Sequence, residues 1–388
     1  MTGAAKASPI PFQRWRFGVF GSSFCLAFTL GNWIPRIPDV KTLHELSGLG
    51  LGALLLAPAL GTLVAFVGLA RHARSIGIGR MSAVAGPAWP LLLLLAWLMP
   101  SPTLMAPLLV ACGIMIGMLE IALNTSADDL EVASGRRLMS QTHGMWSMGS
   151  LVGALVGGWL AQRGFGLHTH GATILLPTAA VALVAGMALR GLPPRSPHGA
   201  AGPAARFGLP SAAILGVAVL PVGMFLIEGT FIDWSALFAR ERLGAEPFGA
   251  GLVFASFGVA MAAMRMAGDR LTERFGRLRM VRASTVVATL GITLFVAAPN
   301  LPVAYLAAAI AGLGVATVYP IAMSAAAERP GASAEHVAAM SLVSFTAFMA
   351  MPPLIGLLTD ALGLRGALAF AVPVAATSVL LSGQVAKG

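Results

Sequence analysis

The sequence predicts an all-α membrane protein of twelve transmembrane helices in two pseudo-symmetric six-helix halves. Three observations carry that prediction: the scarcity of charge, the length of the apolar runs, and a repeat at constant offset. Of 388 residues, 57% are hydrophobic and 10% charged, whereas a soluble domain carries about 25% charged residues. Such a chain cannot cover a water-exposed surface of its size, so its excess apolar surface faces lipid. Dominant apolar residues with aromatics recurring throughout exclude disorder. The apolar runs are long and continuous, unlike the alternating ten-residue strands of a membrane barrel. A helical crossing takes about 20 residues, and roughly 30 with its connection, so the chain holds about a dozen.

Runs bounded by Gly, Pro and charge place the helices at 16–36, 47–70, 81–100, 103–127, 138–162 and 171–190. A second set follows at 210–235, 248–268, 280–298, 302–326, 336–358 and 364–385. The first run is too long for a signal-peptide core and lacks a convincing cleavage site, so it is retained as the first helix. The chain thus divides into an N-terminal half (1–190), a cytoplasmic linker (191–208) rich in Pro, Gly and Ala, and a C-terminal half (209–388).

Charge sets the orientation. With both termini on one side, nineteen of the 25 Lys and Arg residues fall on that side, Lys6, Arg195, Arg206 and Lys387 among them. The opposite side holds Arg36, Lys41, Arg163, Arg240, Arg242 and Arg365. Positive residues stay cytoplasmic, so a multi-pass protein of a bacterial inner (plasma) membrane with both termini inside is expected. The net charge of +10 then records topology and implies no nucleic-acid partner. Lys6, Lys41 and Lys387 lie outside any Gly-rich loop, which leaves no phosphate-cradling loop with its lysine. Cys25 and Cys112 sit in apolar runs, with neither disulfide nor metal spacing.

Sliding the chain by 199 residues superimposes Gly50 on Gly249, Gly52 on Gly251, Gly113 on Gly312, Gly157 on Gly356 and Gly164 on Gly363. Arg71 meets Arg270, Gly77 meets Gly276 and Arg80 meets Arg279 in the same register. Two parallel six-helix halves with a binding site near the midplane are an architecture of secondary transporters.

Of fifteen acids thirteen fall in loops or near helix ends; the exceptions are Glu120 on the fourth helix and Glu228 on the seventh. A carboxylate in hydrocarbon costs about 2.5 kcal/mol or more, so it usually faces a cavity and marks a pathway or proton relay. Their roles are read as proton coupling; for each, a carboxyl hydrogen-bonded between helices is the plain alternative. Gly113, Gly117, Glu120, Asn124 and Asp128 share one face of the fourth helix. Counting 1.5 Å per residue puts Glu120 roughly 7 Å toward the cytoplasm and Glu228 roughly 9 Å toward the outside, so the two need not meet. The fifth helix offers Ser140, His143, Ser147 and Ser150 on one face, with Gln141 and Trp146 beside them. Its Gly149, Gly153 and Gly157 read as a close-packing edge. His143 fits a proton relay or a packing histidine equally. Asn32, Trp33, Trp146, Trp234 and Tyr319 read as a solute lining, with Trp33 and Trp234 better read as interfacial anchors. Tyr319 occupies the offset equivalent of Glu120, and Pro320 interrupts the helix where it would line a cavity.

The stretch Gly268-Asp269-Arg270-Leu271-Thr272-Glu273-Arg274-Phe275-Gly276-Arg277-Leu278-Arg279 resembles the loop signature of the major facilitator superfamily. The first copy, Arg71 to Arg80, is degraded, with Ala70 standing where Asp269 stands. The resemblance implies a gating role for Asp269, Arg270, Arg274 and Gly276. Asp269 would face the N-terminus of the fifth helix, and Arg265, four residues earlier, would pair with it. The plain alternative for the arginines is a solvated positive-inside loop.

Gly117 to Asn124, followed by Ser140-Gln141-Thr142-His143, resembles the fucose-permease-like branch, and Glu228 to Ser235 is similar to the seventh helix of rhizopine-transporter-like members. The former resemblance implies proton coupling at Glu120 and sugar contact by Asn124 and Gln141. It departs from fucose permeases on the first helix, which offers Asn32 and no acid. The substrate-binding set expected is therefore Asn32, Asn124, Gln141, His143, Trp146 and Tyr319. Expected function is proton-coupled uptake of a small sugar, polyol or inosamine by a functional monomer, with the proton as coupling ion and no cofactor or metal. Two alternatives stand: a proton-driven drug or metabolite exporter, and a solute-binding sensor without flux. An enzyme is not expected, since no nucleophile–base pair or metal cluster is present.

Overall fold

The computed structural model describes residues 11–194, 212–329 and 333–386. Lys6, Arg195, Arg206, Lys387 and the predicted linker from 195 onward lie outside the described residues. Every regular element among the described residues is helical. Ten spans are α1 Phe12–Leu43, α2 Gly48–Ile76, α3 Ile78–Trp97, α4 Pro102–Ser134, α5 Met139–Gln162, α6 Leu167–Ala188, α7 Ile214–Leu243, α8 Pro247–Phe275, α9 Arg277–Ala297 and α10 Leu301–Ala327. An eleventh, Glu335–Ala386, has 52 residues, more than twice the roughly 20 of one crossing. Gly363, at φ 73° and ψ 161°, breaks it into α11 (335–362) and α12 (364–386), which completes twelve passes.

Several helices outrun their apolar runs. α1 continues through a 3-10 turn at Ile34–Arg36 into Ile37–Leu43. α4 runs on to Ser134 and ends on Gly135 at φ 67°, and a left-handed glycine is the usual stop. α7 passes through a π turn, Thr230–Trp234, and continues to Leu243. Charge marks where hydrocarbon ends, and it does not end a helix: Glu, Arg and Lys are good helix formers.

The offset of 199 survives in the backbone. Gly77 and Gly276 both take positive φ, at 93° and 82°, as do Gly164 and Gly363, at 79° and 73°. Glu45, at φ 50°, is the equivalent of Gly244, at φ 66°. A Cβ on Gly113 would lie 1.9 Å from the Pro58 carbonyl, and one on Gly312 would lie 2.3 Å from that of Phe257, again 199 residues on. The α2–α4 packing of one half is thus repeated as α8–α10 in the other.

The same operation relates the contacts between halves. Gly52 on α2 abuts Pro352 and Pro353 on α11, while Gly251 on α8 abuts Ala154 on α5. Gly48 and Gly356 meet backbone to backbone nearby, and Gly158 faces Pro247. All of these lie toward the face away from the termini. There Asp39 pairs with Arg240, and Lys41 with Glu241 at 2.5 Å. Asp360 accepts from the Gly48 and Leu49 amides at 2.6 and 2.8 Å. Every hydrogen bond and ion pair joining described residues of the two halves lies at this face, so the space between the halves is closed there. On the terminal face Asp269, Arg270, Arg274 and Gly276 are exposed.

Candidate functional site

The site is built from the middle turns of α4 and α5 in one half and α7, α8 and α10 in the other. On α4, Gly113 and Gly117 press against Pro58 and Ala65 of α2, which leaves Glu120 and Asn124 as the polar continuation of that face. Glu120 lies two residues past the midpoint of α4, about 3 Å by helical rise. The Asn124 amide donates to the Glu120 carbonyl at 2.8 Å and reaches its carboxylate at 3.5 Å. Trp146 of α5 also hydrogen-bonds the carboxylate. Two neutral donors therefore serve this acid, and it has no ion pair among the described residues.

α5 is held by its glycines. A Cβ on Gly149 or Gly153 would come within 2.3 Å of the Phe24 or Phe28 carbonyl of α1, and Gly157 rests on Asn32. This is the close-packing edge expected from the sequence. The opposite edge carries His143, exposed, with Trp146 a turn further on. Gln141 stands in the first turn of α5, exposed, its amide 3.4 Å from the Arg137 carbonyl, and is not brought to Glu120.

In the second half Glu228 sits at the midpoint of α7. The sequence reading placed it toward the outside because the apolar run stops at Ser235, eight residues before the helix does. Arg265 also departs from its expected place. It makes no pair with Asp269; its Nη2 lies 3.8 Å from Glu228 Oε1, with the guanidinium side chain half exposed and Glu228 19% exposed. The helix carrying Arg265 runs ten residues further, to Phe275, so Arg265 belongs to the span rather than the loop. A cavity of about 150 Å³ is lined by these two, Met224, Phe225, Val315, Ala316, Tyr319 and Pro320. Phe225 and Tyr319 meet edge to face at 5.1 Å. Across the gap between halves, His143 lies within the electrostatic reach of Arg265.

Asn32 is fully buried and faces a different network. Its amide donates to the Phe28 carbonyl at 2.8 Å, and its Oδ1 lies 2.9 Å from His170 Nε2. Arg36 Nε donates to His170 Nδ1 at 3.1 Å. Because a guanidinium only donates, Nδ1 is the acceptor and Nε2 carries the proton given to Asn32. Arg36 also bonds the Phe165 carbonyl and Asp39, the latter at 2.8 Å, and Asp39 reaches Arg240 of the other half. Trp33 and Trp234 are buried rather than interfacial, Trp33 stacking on Trp97 at 6.5 Å.

Sequence reasoning missed this Asn32–His170–Arg36–Asp39–Arg240 chain, since Arg36 and Asp39 read as loop residues and His170 as lying just outside its helix. It also missed Asp233, which stands inside α7 because the π turn carries the helix onward. The available signal was the absence of any Gly or Pro between Gly229 and Gly244. Among the described residues no group of His, Cys, Asp and Glu is arranged to hold a metal.

Two six-helix halves enclosing mid-span polar groups, and closed at one face, define a multi-pass membrane transporter. The family model of the Major Facilitator Superfamily matches residues 132–333 and 219–383, and the chain belongs to that superfamily. It is 31% identical over 368 residues to an uncharacterized transporter, y4wD, of Sinorhizobium fredii, covering 90% of this chain and 92% of the relative. It is 28% identical to the membrane protein MosC of Rhizobium meliloti, covering 90% and 85%. Among solved structures it is similar to a bacterial homologue of the human lysosomal transporter Spinster in an inward-facing, unoccupied conformation (TM-score 0.73, 16% identity, 98% and 99% covered). It is also similar to a D-xylose–proton symporter (TM-score 0.69, 15% identity, 97% and 96% covered). At these identities the structures speak for the fold.

Proposed function

We propose that this transporter carries out proton-coupled uptake of a small polar solute, a sugar, polyol or inosamine, across a bacterial inner membrane, by alternating access and as a monomer. The observation that carries the reading is Glu120, a carboxyl near the middle of a span whose partners, Asn124 and Trp146, are neutral. An acid held by a fixed cation stays charged unless another anion takes its place beside that cation. One held by neutral donors can gain and lose a proton without leaving a buried cation unpaired. With Arg265 moved into its span, eighteen of 25 basic residues remain on the terminal side, and that side is read as cytoplasmic. The form closed at the opposite face is then the one that releases solute and proton inward.

In this cycle Glu120 takes a proton from the outside, solute binds against Asn124, Trp146, His143 and Tyr319, and the neutralised site permits reorientation. Gln141 stands at the inner mouth, Asn32 supports the outer network, and Asp269, Arg270, Arg274 and Gly276 form the inner gate. Glu228 is the second proton-coupling candidate.

The test is external pH in lightly buffered, de-energised cells while sugars, polyols and inosamines are added. Solute-dependent alkalinisation that disappears in Glu120→Gln is the expected result. Uphill uptake unchanged in Glu120→Gln would remove the assignment.

A further inference from the structure

Arg265 is the one basic side chain lining the α7–α8–α10 cavity. It stands ten residues, about 15 Å of helix, from the terminal end of α8, and its side chain is half exposed into that space. A guanidinium offers five donors in a planar fork. Here a single contact engages it, Nη2 to Glu228 Oε1 at 3.8 Å, longer than the 2.7–2.9 Å of a charge-assisted hydrogen bond. Among the described residues it makes no hydrogen bond. Most of the fork therefore faces the cavity with its donors available.

We propose that Arg265 is the site for a solute carboxylate, and that Glu228 is the internal anion which that carboxylate displaces. The preferred solute is then a polyhydroxylated monocarboxylate, a sugar acid, seated with its carboxylate on the Arg265 fork and its hydroxyls toward Tyr319 and the α4–α5 groups. This goes beyond the proposed uptake function in making the solute anionic, and rests on its reading of Tyr319 and the α4–α5 groups as solute contacts.

Charge balance makes the displacement a coupled event. With Glu228 ionised, Arg265 is already matched one to one, and a second anion arrives as an unpaired charge in a low-dielectric space. A proton on Glu228 restores the match. Solute anion and proton thus enter together, and the loaded site carries the same net charge as the empty one. The groups facing Glu228 are few. α8 brings Arg265 and α10 brings Tyr319; Asp233 lies five residues on along α7, and His143 of α5 acts on Arg265 across the gap. α11 and α12 approach α7 with the uncharged Phe348 and Ser378.

The test is equilibrium binding of radiolabelled D-gluconate to the full chain purified in detergent, with D-sorbitol, its neutral alcohol counterpart, as competitor. Saturable gluconate binding, at least tenfold tighter than sorbitol and stronger at pH 6 than at pH 8, is expected. Arg265→Gln is expected to lose tenfold or more in gluconate affinity while leaving sorbitol affinity in place, and Arg265→Lys, which keeps the charge, to recover part of it. Glu228→Gln is expected to bind gluconate without the loss toward pH 8. Absence of saturable gluconate binding, or gluconate binding indifferent to Arg265→Gln, overturns the proposal. Sorbitol or inosamine binding without gluconate binding also overturns it, while the uptake reading stands. Arg265-dependent gluconate binding in a protein that moves no protons in cells would keep this site and remove the symport reading.

Discussion

Asp39 and Arg240 belong to different halves of the chain, and their side chains form an ion pair at the face away from the termini. Asp39 also holds Arg36 at 2.8 Å, so it is the shared anion of two guanidiniums, one from each half. Arg240→Gln removes the tie between halves and leaves Arg36–Asp39 in place; Asp39→Asn loosens both. Both changes are expected to open this face, Asp39→Asn the more. A cysteine replacing the fully buried Leu51 reports it: maleimide labelling should rise in Arg240→Gln and rise further in Asp39→Asn. Equal labelling in all three backgrounds would show that the pair does not hold the face closed.

His170 is buried with both ring nitrogens engaged, by Arg36 and by Asn32. In His170→Leu the Arg36 Nε and the Asn32 Oδ1 each lose a partner in a buried site, at about 1–3 kcal/mol per orphaned group. Thermal unfolding in detergent should fall by several degrees. Removing Asn32 as well, as Asn32→Leu, should cost much less in that background than alone, because one orphan has gone. Additive losses would break the inferred chain.

Gly153 lies against α1 so closely that a Cβ would meet the Phe28 carbonyl at 2.3 Å, whereas a Cβ on Gly144 meets nothing within 4 Å. Gly153→Leu should therefore force α5 off α1, at about 1–3 kcal/mol or more for overpacking, with loss of monodisperse protein on gel filtration. Gly144→Ala should be tolerated. The reverse ranking would place the helices differently.

Trp146 donates to Glu120 through its indole nitrogen, and its ring packs partly buried against the core. Trp146→Phe keeps most of the ring packing and removes one hydrogen bond to a carboxylate, worth about 1.5–3 kcal/mol. Solute uptake at limiting concentration should drop roughly tenfold or more, the rate equivalent of that energy. Uptake at the wild-type rate would detach Trp146 from the coupling acid.

Glu328 follows α10 on the terminal face, outside the spans, and the Arg277 hydrogen bond at 2.5 Å holds its carboxyl below the usual carboxylate range. A lowered acid stabilises the folded form at and above its ordinary value, near 4.3, and loses that contribution as pH falls through the lowered value. Both groups are exposed, so the effect is small and screened by salt. The melting difference between wild type and Glu328→Gln should stay flat from pH 5 to 8, narrow toward pH 3, and shrink in high salt.

The architecture was legible because it rests on bulk quantities: too little charge, twelve apolar runs, and glycines whose offset of 199 reappears as matched positive φ at Gly77 and Gly276. The shared face of Glu120 and Asn124 and the α5 glycine edge followed from helical spacing; the depth of Glu120 did not, falling about 3 Å rather than about 7 Å from the helix midpoint because α4 runs on to Ser134. Side chains near helix ends did not. Arg265 reads as loop because it lies four residues before Asp269, and only the true length of α8 moves it into the span. Glu228 and Asp233 shifted for the same reason, the π turn that extends α7. Asn32 has the composition of a cavity residue, yet its partner His170 lies 138 positions away, a pairing that no local pattern announces.

The seam between halves is made of helix backbones touching at Gly48 and Gly356, and at Gly52 and Pro352. Those carbonyls and amides are already bonded along their own helices, apart from the first amides of α2, which Asp360 serves. Parting the seam therefore strands almost no hydrogen-bonding group and sacrifices chiefly short-range dispersion. What distinguishes the shut from the open arrangement is left to a handful of ionic contacts at the rim: Asp39 with Arg240, Lys41 with Glu241, and the Asp360 cap. The rim borders water, where dissolved ions compete for the same charges across a Debye length of about 8 Å at physiological strength. Raising the salt of the compartment that the rim faces is therefore expected to weaken these contacts and favour parting of the seam.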